Sequence, residues 1–248
     1  MIKMLVYKIT PFLAEGCLLP NIKINNGTDW LRDVVNIMYN RSKERLKLAG
    51  VVVNLFHNHD EESGITISRY PLIQYQKLLT EFFVVGINEG CFALKELFAG
   101  NQSVIRISEQ LHIAAKKIFE SEQPTLETKH FCIYKLINWL PFSNNSFQHY
   151  MKMASLEEKI AFLEGILKNH LVRDFSQYLG LNFSSDTIHV YLTDIDSFTR
   201  SCVPLKVNNY THDFQPFTVT FSANLILPKH ICIGNGKVYG FGLLEPAP

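Results

Sequence analysis

The chain has 248 residues, of which 47% are hydrophobic and 19% charged, and its formal net charge is only +1. That is enough apolar material for one large domain or two ordinary ones folding without staples, and too little positive charge for indiscriminate binding along nucleic acid. The five cysteines (Cys17, Cys91, Cys132, Cys202 and Cys232) are scattered, odd in number and free of CxxC spacing, which suits free thiols in a reducing cytoplasm better than a disulfide framework or a zinc knuckle.

Residues 2–9 read as an opening strand. Lys3, Lys8 and Glu15 interrupt the N-terminal stretch and it shows no small-residue cleavage site, so it is not read as a signal peptide. No segment approaches about eighteen uninterrupted apolar residues, and a soluble, cytoplasmic protein is expected. From Thr28 the period changes: Trp30, Leu31, Val34, Val35 and Met38 recur at three- and four-residue spacings, which predicts an amphipathic helix over 28–48 capped by Thr28. Its last turns carry Arg41, Lys43, Arg45 and Lys47 against Glu44, a solvated helix end or a local basic face. Val51–Phe56 is expected to be a buried strand, followed by a turn at 60–64, a strand over about 65–75, a short apolar run at 82–86, a helix at 88–98 and a strand at 103–109. Composition turns polar around 120–128, and the chain is divided there into domains 1–122 and 123–248.

The second half opens as the first does, with a strand at about 130–138 and then a helix. Ser155-Leu156-Glu157-Glu158 is a capping box, and Leu156, Ile160, Leu163, Leu167 and Leu171 continue one helical face. Strands are expected at 187–192, about 199–207 and 214–226; in the last, Val219, Phe221, Ala223 and Leu225 alternate with Thr218, Thr220, Ser222 and Asn224. Two halves that each begin strand–helix–strand predict an α+β chain of two tandem ferredoxin-like (RRM-like) domains. The second closes with a glycine-rich run in which Gly234, Gly236, Gly240 and Gly242 surround Lys237, Tyr239 and Phe241. Such a run fits a phosphate-rich partner lying against main-chain N–H groups, or a hairpin whose turns need positive φ.

His57 and His59 stand two residues apart. If the strand 51–56 continues through them, both imidazoles project from one face, and neighbours that titrate near about pH 6.5 can be held one neutral and one protonated. Three readings are open. H-x-H supplies two metal ligands with Asp60 adjacent, but no third histidine or H-E-x-x-H completes a metal motif. The pair can be a polar turn hydrogen-bonding its own loop. Or it can be the base and acid of metal-free RNA cleavage, in which the ribose supplies the nucleophile and the protein supplies proton transfer and cations on the phosphate. Arg69 and Tyr70, expected on the next strand, would then be phosphate clamp and hydrogen-bond donor.

Several strings, in their order, resemble a known family. Leu55-Phe56-His57-Asn58-His59, Arg69-Tyr70-Pro71-Leu72-Ile73-Gln74-Tyr75 and Gly86-Ile87-Asn88-Glu89-Gly90 are similar to the N-terminal half of the CRISPR-associated repeat-processing endoribonucleases (the Cas-six family, within the RAMP superfamily). Ile137-Asn138-Trp139-Leu140 and Phe221–Pro228, running into Gly234–Gly242, are similar to its C-terminal domain and glycine-rich loop. The resemblance implies a metal-independent, cofactor-free endoribonuclease that cuts CRISPR precursor RNA within its repeats and leaves a 2′,3′-cyclic phosphate and a 5′-OH. It implies catalytic roles for His57, His59 and Tyr70, and RNA contact by Arg69, Gly234, Asn235, Gly236, Lys237, Gly240 and Gly242. Repeat RNA is the implied partner, with the chain a monomer or homodimer and other CRISPR effector subunits as further partners. A non-catalytic RNA-binding subunit on the same fold is the alternative, and a zinc-dependent hydrolase a third.

Overall fold

A computed structural model of the chain describes residues 2–13, 27–56, 70–99, 104–123, 130–181, 184–196, 202–207 and 210–247. It divides into two compact units, one of Met1–Pro124 with Val238–Gly240 and one of Thr125–Lys237 with Phe241–Pro248.

The first unit runs β1 (Ile2–Leu13), α1 (Gly27–Leu48), β2 (Ile73–Leu78), β3 (Glu81–Ile87), α2 (Glu89–Phe98), β4 (Ile105–Arg106) and β5 (Leu111–Gln123). Its antiparallel sheet has the order β2-β3-β1-β5-β4. Without the two-residue β4 this is the strand order of a ferredoxin-like βαββαβ unit. The stripe expected on α1 is the one that packs: Leu31, Val34, Val35 and Met38 join Ala93, Leu94 and Leu97 of α2 over Leu5, Ile9, Ile73, Tyr75 and Val84 of the sheet. Helix α1 starts one residue before Thr28, which therefore lies inside its first turn. It stops at Gly50, whose φ of 80° lets the Gly50 and Val51 N–H groups bond back to the Lys47 and Leu46 carbonyls.

Three expectations need correction here. Val51–Phe56 is no strand but a tight 3₁₀ turn over Val53–Leu55; Val51, Leu55 and Phe56 bury themselves in the helical core instead of pairing with the sheet. Of the strand expected over about 65–75, residues 65–69 lie outside the described residues, 70–72 are not strand, and β2 begins at Ile73. The strand at 103–109 shrinks to β4, and the long partner of β1 is β5, absent from the sequence reading. In β5 a bulge at Ile118 (Val6 faces Phe119 and Tyr7 faces Lys117) breaks the alternation that would have revealed it.

The second unit runs β6 (Cys132–Trp139), α3 (Asn144–Lys152), α4 (Leu156–Leu171), β7 (Val190–Asp196), a hairpin of β8 (Val203–Val207) and β9 (Tyr210–Phe214), β10 (Phe217–Ala223), β11 (Ile231–Cys232) and β12 (Leu243–Pro246). Its five-stranded sheet has the order β11-β12-β6-β10-β7, again ferredoxin-like with a short added edge. The capping box holds: Ser155 Oγ accepts the Glu158 N–H at 3.1 Å and Glu158 returns an acceptor to the Ser155 N–H at 3.3 Å. Leu156, placed on the apolar face by its spacing, is 69% exposed in the first turn. The alternation of β10 is also real, with Val219, Phe221 and Ala223 buried, and Leu225 buried just beyond the strand. Where a second helix would cross from β10 to β12, residues 224–242 form instead the β11 edge, a 3₁₀ turn at Lys237–Tyr239 and the glycine-rich loop. Pro228 and four glycines in nine residues forbid a helix there.

Candidate functional site

His57, His59 and Arg69 lie outside the described residues, so the imidazole pair is known here by its approach alone. That approach is packed into the core. Phe56, 4% exposed, stacks on Tyr39 of α1 with ring centroids 5.0 Å apart. The premise that a strand leads into the pair fails with the 3₁₀ turn, so a shared face for His57 and His59 no longer follows from period-two geometry. Tyr70 is described. Its ring is 2% exposed and its hydroxyl accepts from Gln74 Nε2 at 2.9 Å. It precedes β2 and does not sit on it.

The basic end of α1 is partly committed to the fold of its own unit. Arg41 Nη2 donates to the Ile107 carbonyl at 2.9 Å and Arg45 Nη2 to the Leu97 carbonyl at 3.4 Å.

The glycine-rich segment belongs to the second unit except at Val238–Gly240. Gly234, Gly236, Gly240 and Gly242 all have positive φ, from 69° to 94°. A Cβ on Gly242 would stand 1.9 Å from the Ile233 carbonyl oxygen, and one on Gly234 would stand 2.7 Å from Trp139 Nε1 and 2.9 Å from His170 Nδ1. Gly242 is demanded by the backbone crossing of the β11–β12 hairpin, and Gly234 by its packing on Trp139 and His170; turns that need positive φ are one of the two readings that the sequence left open. Asn235 forms an isolated bridge to Leu140. Lys237, named as an RNA contact by the resemblance, is buried. It is 8% exposed, and its ammonium bonds Asp174 Oδ1 at 2.9 Å and the Gly234 carbonyl at 2.6 Å.

The residues beneath this loop were missed. Helix α4 passes into a π-helical turn over Val172–Tyr178, which carries Arg173 and the fully buried Asp174. Asp174 Oδ2 accepts the Gly234 N–H at 2.8 Å, while Arg173 donates to Asp174 Oδ1 at 3.0 Å and to the Gly234 carbonyl at 3.1 Å. Beside them the buried Trp139 indole N–H donates to His170 Nδ1 at 3.0 Å, so the ring proton of His170 is on Nε2. Burial, with Arg173 and Lys237 adding to it, pushes the His170 pKa down to about 3. Burial likewise lowers the Lys237 pKa, and Asp174 opposes that shift. One signal was available: Leu163, Leu167, Leu171 and Phe175 form an apolar face that His170 and Asp174 interrupt. A carboxylate on such a face needs a buried cation.

Among the described residues, no three His, Cys, Asp or Glu side chains converge as a metal site requires, and Cys91, Cys132, Cys202 and Cys232 are free. No helix among them is long and apolar enough to cross a membrane.

Comparison with known proteins adds what geometry alone does not. The Cas6b N-terminal domain family matches residues 41–124, and the Cas6b C-terminal domain family matches residues 126–247. A crystal structure of Cas6b is 18% identical, with the likeness covering 100% of both chains at a TM-score of 0.64. A CRISPR RNA processing endoribonuclease Cas6b is 17% identical over 99% of this chain and 100% of that one, with a TM-score of 0.55. Csf5, a CRISPR-Cas type IV Cas6 crRNA endonuclease, is 11% identical over 99% and 100%, with a TM-score of 0.54. Identities this low speak for a common fold. None of the curated proteins matches the chain significantly. Since both of its halves are matched by successive Cas6b domains, the chain belongs to the Cas6b family of CRISPR RNA processing endoribonucleases.

Proposed function

We propose that the chain cuts a CRISPR precursor transcript within its repeats by a metal-independent transesterification centred on His57 and His59. One imidazole, neutral, takes the proton of a ribose 2′-OH. The 2′-oxygen attacks the adjacent phosphorus in line, the bond from phosphorus to the 5′-oxygen breaks, and the other imidazole, protonated, gives its proton to that oxygen. One proton is taken and one given, and the products carry a 2′,3′-cyclic phosphate and a 5′-OH. Each well-placed histidine contributes roughly a hundred- to ten-thousand-fold. Arg69 places a cation on the phosphate. Tyr70, buried and bonded to Gln74, fixes the chain at the residue after Arg69. The glycine-rich loop meets RNA through its half-exposed Asn235, Gly236 and Gly240, while Gly234 and Gly242 are buried and set the course of the main chain beneath them.

The observation that carries this reading is the match of the Cas6b N-terminal domain over 41–124, a span that contains His57, His59, Arg69 and Tyr70. The test is cleavage of the repeat RNA from the same genome in EDTA, with ribose or 2′-deoxyribose before the scissile bond. Cutting of the ribose substrate alone is expected, undiminished by chelator. Cutting of the deoxy substrate refutes attack by the 2′-OH, and loss of cutting in EDTA refutes metal independence.

A further inference from the structure

Behind the glycine-rich loop lies a cluster of charged groups that the cleavage chemistry does not use. The Asp174 carboxylate is fully buried and both its oxygens are engaged, Oδ2 by the Gly234 N–H at 2.8 Å and Oδ1 by Lys237 Nζ at 2.9 Å and Arg173 Nε at 3.0 Å. Lys237 and Arg173 close the circuit on the Gly234 carbonyl, at 2.6 and 3.1 Å. Both polar groups of Gly234 are thereby fixed from below, while its bare Cα rests on the Trp139–His170 hydrogen bond. For Lys237 to reach an RNA phosphate it would have to give up its bond to a fully buried carboxylate, leaving Arg173 as that carboxylate's sole counter-ion among the described residues.

We propose that Asp174 is a positioning residue for RNA binding: it holds the loop over 234–237 in the shape that RNA meets, and Lys237 is its counter-ion and not a phosphate contact. The proposal rests on the reading that this loop meets RNA. It reverses the role that charge alone assigned to Lys237. Affinity depends on the loop's shape, and the salt dependence of binding comes from cations elsewhere on the chain.

The test uses the full chain and a repeat RNA made uncleavable by 2′-deoxyribose at the scissile position, with affinity measured across a series of salt concentrations. Melting curves of each variant accompany the measurements. A phosphate contact on single-stranded RNA contributes about 0.7 to the slope of log affinity against log salt. Lys237→Met is expected to leave that slope unchanged. Asp174→Ala is expected to weaken binding about tenfold or more, the scale of re-ordering a loop on binding. Asp174→Asn, which keeps an acceptor for the Gly234 N–H, loses less. A slope lower by about 0.7 in Lys237→Met overturns the proposal, because Lys237 then touches phosphate. Unchanged affinity in folded Asp174→Ala, with Gly236→Ala weakened, overturns it while leaving the loop as an RNA contact. Unchanged affinity in both removes the reading beneath it as well. If Asp174→Ala does not fold, the Asp174→Asn affinity and the Lys237→Met slope decide.

Discussion

Acid should loosen the floor of the glycine-rich loop, and the amount follows from one imidazole. His170 is 6% exposed, accepts the Trp139 indole N–H, and shares its surroundings with Arg173 and Lys237. Its pKa falls from the ordinary 6.5 to about 3 in the folded chain. The folded state therefore binds this proton more weakly than the unfolded state. The stability involved is fully present above about pH 6.5 and is lost as pH drops toward about 3, at about 1.4 kcal/mol per pH unit. Between about pH 7 and about pH 5 the loss is about 2 kcal/mol. Trp139 itself is the probe. The chain has only two tryptophans, so a Trp30→Phe background isolates its emission during urea titration. The control is His170→Gln, whose amide oxygen can still accept the indole N–H but does not titrate. Relative to that control, the unmodified histidine chain should lose about 2 kcal/mol on going from about pH 7 to about pH 5. Carboxylates and the other histidines cancel in the difference. If the two proteins lose stability in parallel, His170 is not held neutral by the fold and the reasoning fails.

Four further outcomes are expected. His57→Ala and His59→Ala should each cut the single-turnover cleavage rate about a hundred- to ten-thousand-fold, while repeat-RNA affinity in a filter-binding assay changes little. Phe56→Ala removes the ring stacked on Tyr39; it should cost about 3–5 kcal/mol in urea denaturation and lower the cleavage rate more than affinity, because it loosens the residue next to His57. Gly242→Ala would force a Cβ to 1.9 Å from the Ile233 carbonyl at a φ of 72°; a fall of at least about 2 kcal/mol is expected, read from urea denaturation followed by Trp139 emission. Tyr134→Phe removes a hydroxyl that donates to the Leu225 carbonyl at 2.8 Å and accepts the Leu227 N–H at 2.9 Å. It should cost about 1–3 kcal/mol by the same measurement, and burial, which pushes the Tyr134 pKa up to about 12, keeps the effect flat across neutral pH.

What was legible in the sequence is what depends on short-range period. The stripe of Leu31, Val34, Val35 and Met38, the Ser155–Glu158 box and the alternation of Val219, Phe221 and Ala223 all survive, because each is decided within a few residues. Val51–Phe56 misled for the complementary reason. A run of β-branched and apolar residues marks burial, but whether burial is against a sheet neighbour or a helix is settled elsewhere in the chain. Helix α3 was overlooked since its sequence, Asn-Asn-Ser-Phe-Gln-His-Tyr-Met-Lys, is poor in strong helix formers and is held by a Ser143–Ser146 cap and by Tyr150 packed on Phe142. The candidate site was legible as strings and not as contacts. Lys237 could be seen as a lone cation among glycines, but its partner Asp174 lies 63 residues away. Charge read locally shows no such partner.

The two units show why the loop needs that partner. In the first, the connection after β3 is helix α2, which anchors itself by burying Ala93, Leu94, Leu97 and Phe98. In the second, the corresponding connection after β10 has glycines at the turns that matter, and glycine has no side chain to bury. The connection buries Leu225, Leu227, Ile231, Cys232 and Ile233, but at the glycines themselves anchoring comes from the main chain, and a buried main-chain group needs a bonded partner. Asp174 supplies the acceptor for Gly234, Lys237 and Arg173 supply donors for its carbonyl, and the Trp139–His170 pair supplies the surface on which its Cα lies. Hydrophobic anchoring tolerates small shifts because it is roughly proportional to area, whereas hydrogen bonds to a buried charge weaken steeply with misalignment. Replacing the helix by a glycine loop thus adds, to the hydrophobic attachment that remains, one that is fixed in shape. That property suits the RNA-binding role proposed for this loop.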